Sequence, residues 1–320
     1  GVVSVVRSAV LGAAALLAVA GPPSAAAAAR CGSPAQRPWC DTSRSPDARA
    51  QLLLAALTPQ ERIGLLSGDD LFGVVGGEHH HTGTQDGVPR LGVPAIYYSD
   101  GPVGPRQGPV TAMPAPMADA ATWSTAANAA YGRLVAQEAK AKGNDVLFAP
   151  TVNLLRTPLG GRTFEGFGED PYLVSGTAVA WIRAAQATGV LADVKHFALN
   201  NQEGYSSAAN TSRPGQALGP QADPGKGGRM KVNVHVDERT LRETELAPFE
   251  AAVTRANVAS IMCSYNKVAG TYACRNDRLL GIPQGWGFKG FVLADYGAAH
   301  DTAPSLRSRS SRVHATESGS

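Results

Sequence analysis

The chain has 320 residues, 43% of them hydrophobic and 17% charged, with a formal net charge of +3. That length buries a substantial core and fits one large domain. The small net charge, with Lys and Arg spread through the body, excludes the basic footprint of a nucleic-acid binder, and aromatics at 6% leave room only for a local stacking platform.

In chain order, Arg7 precedes the apolar run Ala9–Ala20, then Gly21-Pro22-Pro23 and the small-residue run Ala25–Ala29. A charged start, a hydrophobic stretch and an Ala-x-Ala region predict a secretory signal over residues 1–29, and hence a secreted, extracellular protein. A membrane anchor is the alternative, but the run is short for a span and breaks at Gly-Pro-Pro. No membrane contact is expected after cleavage. Residues 30–47 form an N-terminal segment. Cys31 and Cys40 lie nine apart, and Cys263 and Cys274 eleven apart. Two local disulfides fit an oxidising compartment, with four buried free thiols as the other reading. His79-His80-His81 lack a spaced carboxylate partner on a regular element, so no metal and no cofactor is expected.

From residue 48 the pattern changes to alternating elements. An amphipathic helix is predicted over Ala48–Leu66. A strand over 93–98 runs into Ser99-Asp100, and a helix follows over Ala121–Lys142. A strand over 145–149 runs into Pro150 and Asn153, with a helix over Leu173–Thr188. A strand over 190–194 runs into Lys195-His196. Residues 205–231 are rich in Gly, Pro, Ser, Ala, Gln and Asn and predict a long loop. A strand over 232–236 runs into Asp237, with a helix over Glu238–Arg255. A strand over 258–262 runs through Cys263 into Tyr265-Asn266, and Phe291–Ala294 runs into Asp295. Short apolar strands alternating with helices imply parallel βα units in an α/β fold, a (β/α)8-type, TIM-like barrel over residues 48–302. Such barrels keep their chemistry at the C-terminal strand ends, where these polar residues fall. A helix N-cap is the bland reading of Asp295 taken by itself. The tail, 303–320, has no apolar periodicity. Eight units need more sequence than remains, so the barrel is expected to be incomplete at its C-terminus.

Five motifs in order then carry a resemblance: Asp100-Gly-Pro-Val-Gly104, Gly161-Arg-Thr-Phe-Glu-Gly-Phe-Gly-Glu-Asp-Pro171, Lys195-His-Phe197, Ile261-Met-Cys-Ser-Tyr-Asn266 and Ala294-Asp-Tyr-Gly297. Together, from about Leu52 to Thr302, they resemble the N-terminal barrel domain of glycoside hydrolase family 3. The resemblance implies that Asp295 is the nucleophile and that Asp100 holds sugar hydroxyls in the subsite that is cleaved. It implies a basic cluster of Arg162, Lys195 and His196 around the same sugar, Tyr265 beside the nucleophile with Met262 on the same strand, and Arg106 joining the pocket. The family usually has Trp after the nucleophile, and here Tyr296 forms that wall.

A retaining glycosidase needs one carboxylate that attacks the anomeric carbon and a carboxyl about 5–5.5 Å away that protonates the leaving oxygen. Nearby Lys195, His196 and Arg162 are expected to favour the ionised nucleophile. Glu165, Glu169 and Asp170 read as a loop entering a helix rather than as the acid. The family usually supplies the acid/base from a second domain, so no residue here is given that role. The stretch Lys195-His-Phe-Ala-Leu-Asn-Asn-Gln-Glu203 resembles the β-glucosidase and β-xylosidase branches. The partner expected is thus a β-linked glucoside or xyloside, while the oligomeric state is open. The alternative is a catalytically incomplete fragment, or a sugar-binding protein lacking the acid/base domain.

Overall fold

The computed structural model describes residues 31–68, 81–158, 160–203 and 228–300. The predicted signal over residues 1–29, His79 and His80, most of the predicted 205–231 loop and the 303–320 tail lie outside these residues. The regular elements are helices α1 (Pro46–Ala56) and α2 (Pro59–Gly64), strands β1 (Gly83–Gln85) and β2 (Ile96–Asp100), helices α3 (Pro116–Ala120) and α4 (Thr125–Ala141), and strand β3 (Val146–Phe148). Helix α5 (Pro171–Gln186) and strands β4 (Leu191–Phe197) and β5 (Asn233–Val234) follow, then α6 (Ala247–Ala256), β6 (Ser260–Cys263), β7 (Lys267–Val268), β8 (Thr271–Tyr272), α7 (Asp277–Gly285) and β9 (Phe291–Ala294).

The sheet runs β1-β2-β3-β4-β6-β9, parallel throughout except for β1, which pairs antiparallel with β2. It is the curled half of a TIM-like barrel. Successive side chains of a strand point to opposite faces, and here the two faces sort cleanly. Leu147, Ala149, Ala192, Val194, Ile261, Cys263, Val292 and Ala294 join the main core under the helices. Tyr98, Val146, Phe148, Met262 and Leu293 make a separate cluster on the inner face. Asp100 and Asp295 continue that inner parity at the strand ends.

Local chemistry places the helices that back the sheet. Asp170 caps α5, its Oδ1 accepting from the backbone N–H groups of Tyr172 (2.7 Å) and Leu173 (2.8 Å), with Pro171 at the first helical position. Helices α4 and α5 cross closely at Gly132, where a Cβ would stand 2.4 Å from the Trp181 carbonyl oxygen.

Several expectations change. Residues 48–66 do not make one amphipathic helix. Thr58 and Glu61 form a capping box with Pro59 at the first position, so one helix stops and a second starts, and neither buries a residue. The expected strand over 232–236 shrinks to Asn233–Val234 and belongs to a separate three-stranded sheet, β5-β7-β8, not to the barrel. The helix over 238–255 is broken by a π-turn at Leu241–Glu245, closed by the Leu246 N–H donating to the Leu241 carbonyl (2.9 Å). Pro248, in the first turn of α6, brings no N–H and crowds the carbonyl four residues back, so the ladder resets there. Strand β1 and helix α7 were not anticipated. Cys31 pairs with Cys40, and Cys263 with Cys274. Among the described residues no helix is long and apolar enough to cross a membrane, and no group of three His, Cys, Asp or Glu side chains could hold a metal ion.

Candidate active site

The C-terminal ends of β2, β4 and β9 bring Asp100, Lys195, His196 and Asp295 together. Strand β4 spends three steps from Val194 to Phe197 while β6 spends two from Ile261 to Cys263. That extra residue is a bulge, and bulges re-aim side chains. Both Lys195 and His196 are therefore turned towards the site, although consecutive strand residues normally face apart.

Lys195 Nζ donates to Asp100 Oδ1 at 2.6 Å, and Arg106 Nε lies 3.2 Å from Oδ2. Burial by itself would raise the Asp100 pKa. The charges of Lys195, Arg106 and Arg162 outweigh it and hold this carboxyl well below the usual range. Arg162 forks onto Glu165, with Nε to Oε1 at 3.0 Å and Nη2 to Oε2 at 2.6 Å. Burial opposes its charge, but Glu165, Asp100 and Glu203 more than restore it.

His196, expected in a basic cluster, sits where the neutral imidazole is favoured. Burial drives its pKa well below the ordinary value, and the cations Arg162, Lys195 and Arg229 push the same way. The tautomer follows from the partners. Arg162 Nη1 can only donate, and it stands 3.2 Å from Nε2, so Nε2 carries the lone pair. Nδ1–H then points at Asn153 Oδ1, 3.3 Å away. Asn153 also accepts from the His196 backbone N–H (2.8 Å) and donates to its carbonyl (2.9 Å), fixing the residue on both sides.

Asp295 is held asymmetrically. Its Oδ1 accepts from Tyr265 Oη and from the Tyr296 backbone N–H, both at 2.8 Å. Its Oδ2 faces His196 Nε2 at 3.5 Å. Because that imidazole is neutral with its lone pair on Nε2, the contact is not an ion pair. The cations expected around this carboxyl are engaged elsewhere: Lys195 with Asp100, Arg162 with Glu165.

Of the residues singled out from the sequence, Asp100, Arg106, Arg162, Lys195, His196, Tyr265 and Asp295 converge. Met262 does not: it is buried in the inner-face cluster below the strand ends. Tyr296 donates its hydroxyl to the Thr82 carbonyl and meets Phe148 edge-on at 6.4 Å, so its ring is tied to β1 and β3. Three residues at the site had no role assigned from the sequence, two of them, Asn153 and Glu203, already named in the stretches that follow β3 and β4. Asn153 ends the segment after β3 at the position where the other site residues follow their strands, which is the signal that marks it. Glu203 and Arg229, paired at 2.9 Å, and the Arg229 guanidinium 4.0 Å over the Tyr265 ring carry no local sequence signal. A shallow cleft borders the site, lined by Asn153, Arg162, His196, Asn200, Asn201 and Glu203 among others. Asp100 and Asp295 do not line it. The converging carboxylates and their donors, not this cleft, define the site.

A model of the glycosyl hydrolase family 3 N-terminal domain matches residues 78–320. The chain belongs to glycosyl hydrolase family 3. This family 3 chain is 39% identical over 267 residues to β-glucosidase B of Emericella nidulans, an alignment covering 81% of this chain and 28% of that protein. It is 37% identical over 263 residues to a β-glucosidase of Rhizobium radiobacter, covering 79% and 28%. Among solved structures it is similar to β-glucosidase 3B from Thermotoga neapolitana in complex with glucose, with a TM-score of 0.71, 33% identity, and coverage of 82% of this chain and 36% of that one. It is also similar to the β-glucosidase of Kluyveromyces marxianus in complex with glucose, with a TM-score of 0.69 and 31% identity, covering 84% and 29%. The chain thus spans roughly a third or less of each of these relatives' length.

Proposed function

We propose that this chain carries the sugar-holding and nucleophilic part of a secreted, retaining β-glucosidase, with Asp295 as nucleophile. The observation that carries the reading is the asymmetry at Asp295. Two donors hold Oδ1, while Oδ2 is left towards the neutral face of His196. One oxygen is anchored and the other is free to attack, as a carboxylate nucleophile requires. The names of the relatives support a β-glucoside as substrate.

In this reading Asp295 Oδ2 forms a bond to the anomeric carbon as the bond from that carbon to the leaving oxygen breaks. The leaving oxygen takes a proton from a general acid, for which no described residue is proposed. Water then attacks the same carbon, giving its proton to the conjugate base of that acid as the bond to Asp295 Oδ2 breaks and the carboxylate is released. Tyr265 and the Tyr296 N–H keep the carboxylate oriented between the two steps. Asp100, Lys195 and Arg162 bind sugar hydroxyls through charge-assisted hydrogen bonds. Secretion rests on the signal-like residues 1–29 and on cysteine pairing that suits an oxidising compartment.

A second reading, sugar binding without turnover, is favoured by one observation. The carboxyls around Asp295 are engaged: Asp100 with Lys195 and Arg106, Glu165 with Arg162, Glu203 with Arg229. A 2-deoxy-2-fluoroglucoside with a good leaving group separates the two, since its departure needs no acid. Covalent mass on Asp295, absent from Asp295→Asn, supports the nucleophile. Glucose bound without any labelling supports the second reading and overturns the first.

A further inference from the structure

Asp193 lies on β4 two residues before Lys195. It is fully buried, and its carboxyl makes no well-formed hydrogen bond, the Ser260 hydroxyl being the one hydroxyl close enough to favour its charged form. Its neighbours Ala192 and Val194 pack on the helix-covered face, so strand alternation turns Asp193 to the inner face. The register sets it opposite Ser260 of β6, also fully buried. The charged and titratable groups that face it are Lys195 on its own strand, Asp100 from β2 and Asp295 from β9. From β6 comes the Ser260 hydroxyl, and the inner face of β3 offers Val146 and Phe148.

No function is yet attached to this carboxyl. An ionised carboxylate there would be an unpaired charge in an apolar interior, which is costly. It would also compete for a single ammonium, and that ammonium is committed to Asp100 at 2.6 Å. Burial is the main force pushing the Asp193 pKa up, to about 8; the charges of Asp295 and Asp100 add to it, while Ser260 and Lys195 pull against it.

We propose that Asp193 is a positioning residue: a neutral carboxylic acid beneath the sugar subsite that keeps Lys195 on Asp100 and sets the alkaline limit of sugar binding. This rests on the sugar-holding role of Asp100 and Lys195 given above. When hydroxide removes the Asp193 proton as water, the new carboxylate draws Lys195 Nζ down the strand. The contact to Asp100 loosens, and negative charge accumulates below Asp295.

Two measurements on the full chain test this. The first needs no ligand: the chain is labelled with carboxyl-¹³C aspartate and titrated by NMR. One aspartate carboxyl is expected to titrate near pH 8, as the buried site requires, and to vanish in both Asp193→Asn and Asp193→Val. Should every aspartate titrate in the ordinary acid range, the proposal fails, and the wild-type titration decides this even where a variant does not fold. The second is glucose affinity by calorimetry. A single proton with that midpoint lowers wild-type affinity about tenfold one pH unit above it, whereas Asp193→Asn, permanently neutral and of similar shape, keeps its affinity over the same range. The two readings fail differently. No glucose binding at any pH removes the subsite assignment. Glucose bound with the same alkaline loss in wild type and variant removes the role of Asp193 alone.

Discussion

Replacing Asn153 by Ala isolates the clamp on His196. Asn153 and His196 are both buried, and three contacts join them: two hydrogen bonds to the His196 backbone at 2.8 and 2.9 Å, and one from Nδ1–H at 3.3 Å. Alanine leaves a buried backbone N–H and a buried backbone C=O without their Asn153 partner, each costing on the order of 1–3 kcal/mol. The sum is about 2–6 kcal/mol, and for a domain of this size that lowers Tm by about 4 °C or more. Glucose affinity should fall as well, because the freed imidazole no longer presents Nε2 to Arg162 and Asp295. Asn153→Asp sharpens the reasoning. Its carboxylate still accepts from Nδ1–H, and the added negative charge should raise the His196 pKa and favour imidazolium. Scanning calorimetry reads the first effect, and the His196 ring resonance against pH reads the second. A Tm change under about 2 °C for Asn153→Ala, with glucose affinity unchanged, would refute the clamp.

Lys195→Met should cost stability in a pH-dependent way. Asp100 has a depressed pKa in the folded chain, so its ionised form contributes stability above the ordinary carboxylate range, and that stability is lost as pH falls. Without Lys195 only Arg106 and Arg162 oppose the burial of Asp100, so less of that stability remains; the gap in Tm between wild type and variant should be widest near neutrality and narrow as pH falls below the ordinary carboxylate value of about 4, and a gap that does not vary with pH would count against the pairing. Gly132→Ala tests the helix crossing. Helix propensity alone predicts a gain of about 1 kcal/mol, but the added Cβ runs into the Trp181 carbonyl, so a loss of about 1–3 kcal/mol is expected instead. A higher Tm for the alanine variant would show that the helices move apart freely.

The barrel was legible because each of its parallel strands announces itself twice, by a short apolar run and by the polar residue at its end. Phe291–Ala294 and Asp295 are the plainest case. Strand β1 escaped because Gly83-Thr84-Gln85 has no apolar residue to signal burial; its pairing comes from β2, a long-range cause. Val232-Asn-Val-His-Val236 misled in the opposite way. Its strict alternation is the mark of a half-buried strand, whereas the parallel strands of this barrel are near-continuously apolar. The Thr58-Pro-Gln-Glu61 capping box that divides the first helix was readable locally. The charge state of His196 was not, since it depends on burial and on Arg162, 34 residues earlier in the chain. The placement of Met262 could have been read from parity: it shares the inner face with Ser260, while Ile261 and Cys263 turn outward to the helices.

The pairing of Cys263 with Cys274 encloses the short stretch that bears Tyr265, and Tyr265 holds the nucleophilic candidate in place. Closing a loop of that size restrains the unfolded chain by about 3 kcal/mol. Here the restraint also acts on a tyrosine whose hydroxyl must reach one oxygen atom. Preparations from a reducing cytosol and from an oxidising export route therefore need not be the same reagent. Thiol reductants in a purification buffer would act on Asp295 from a distance, and the free-thiol content of a sample should track its affinity for glucose.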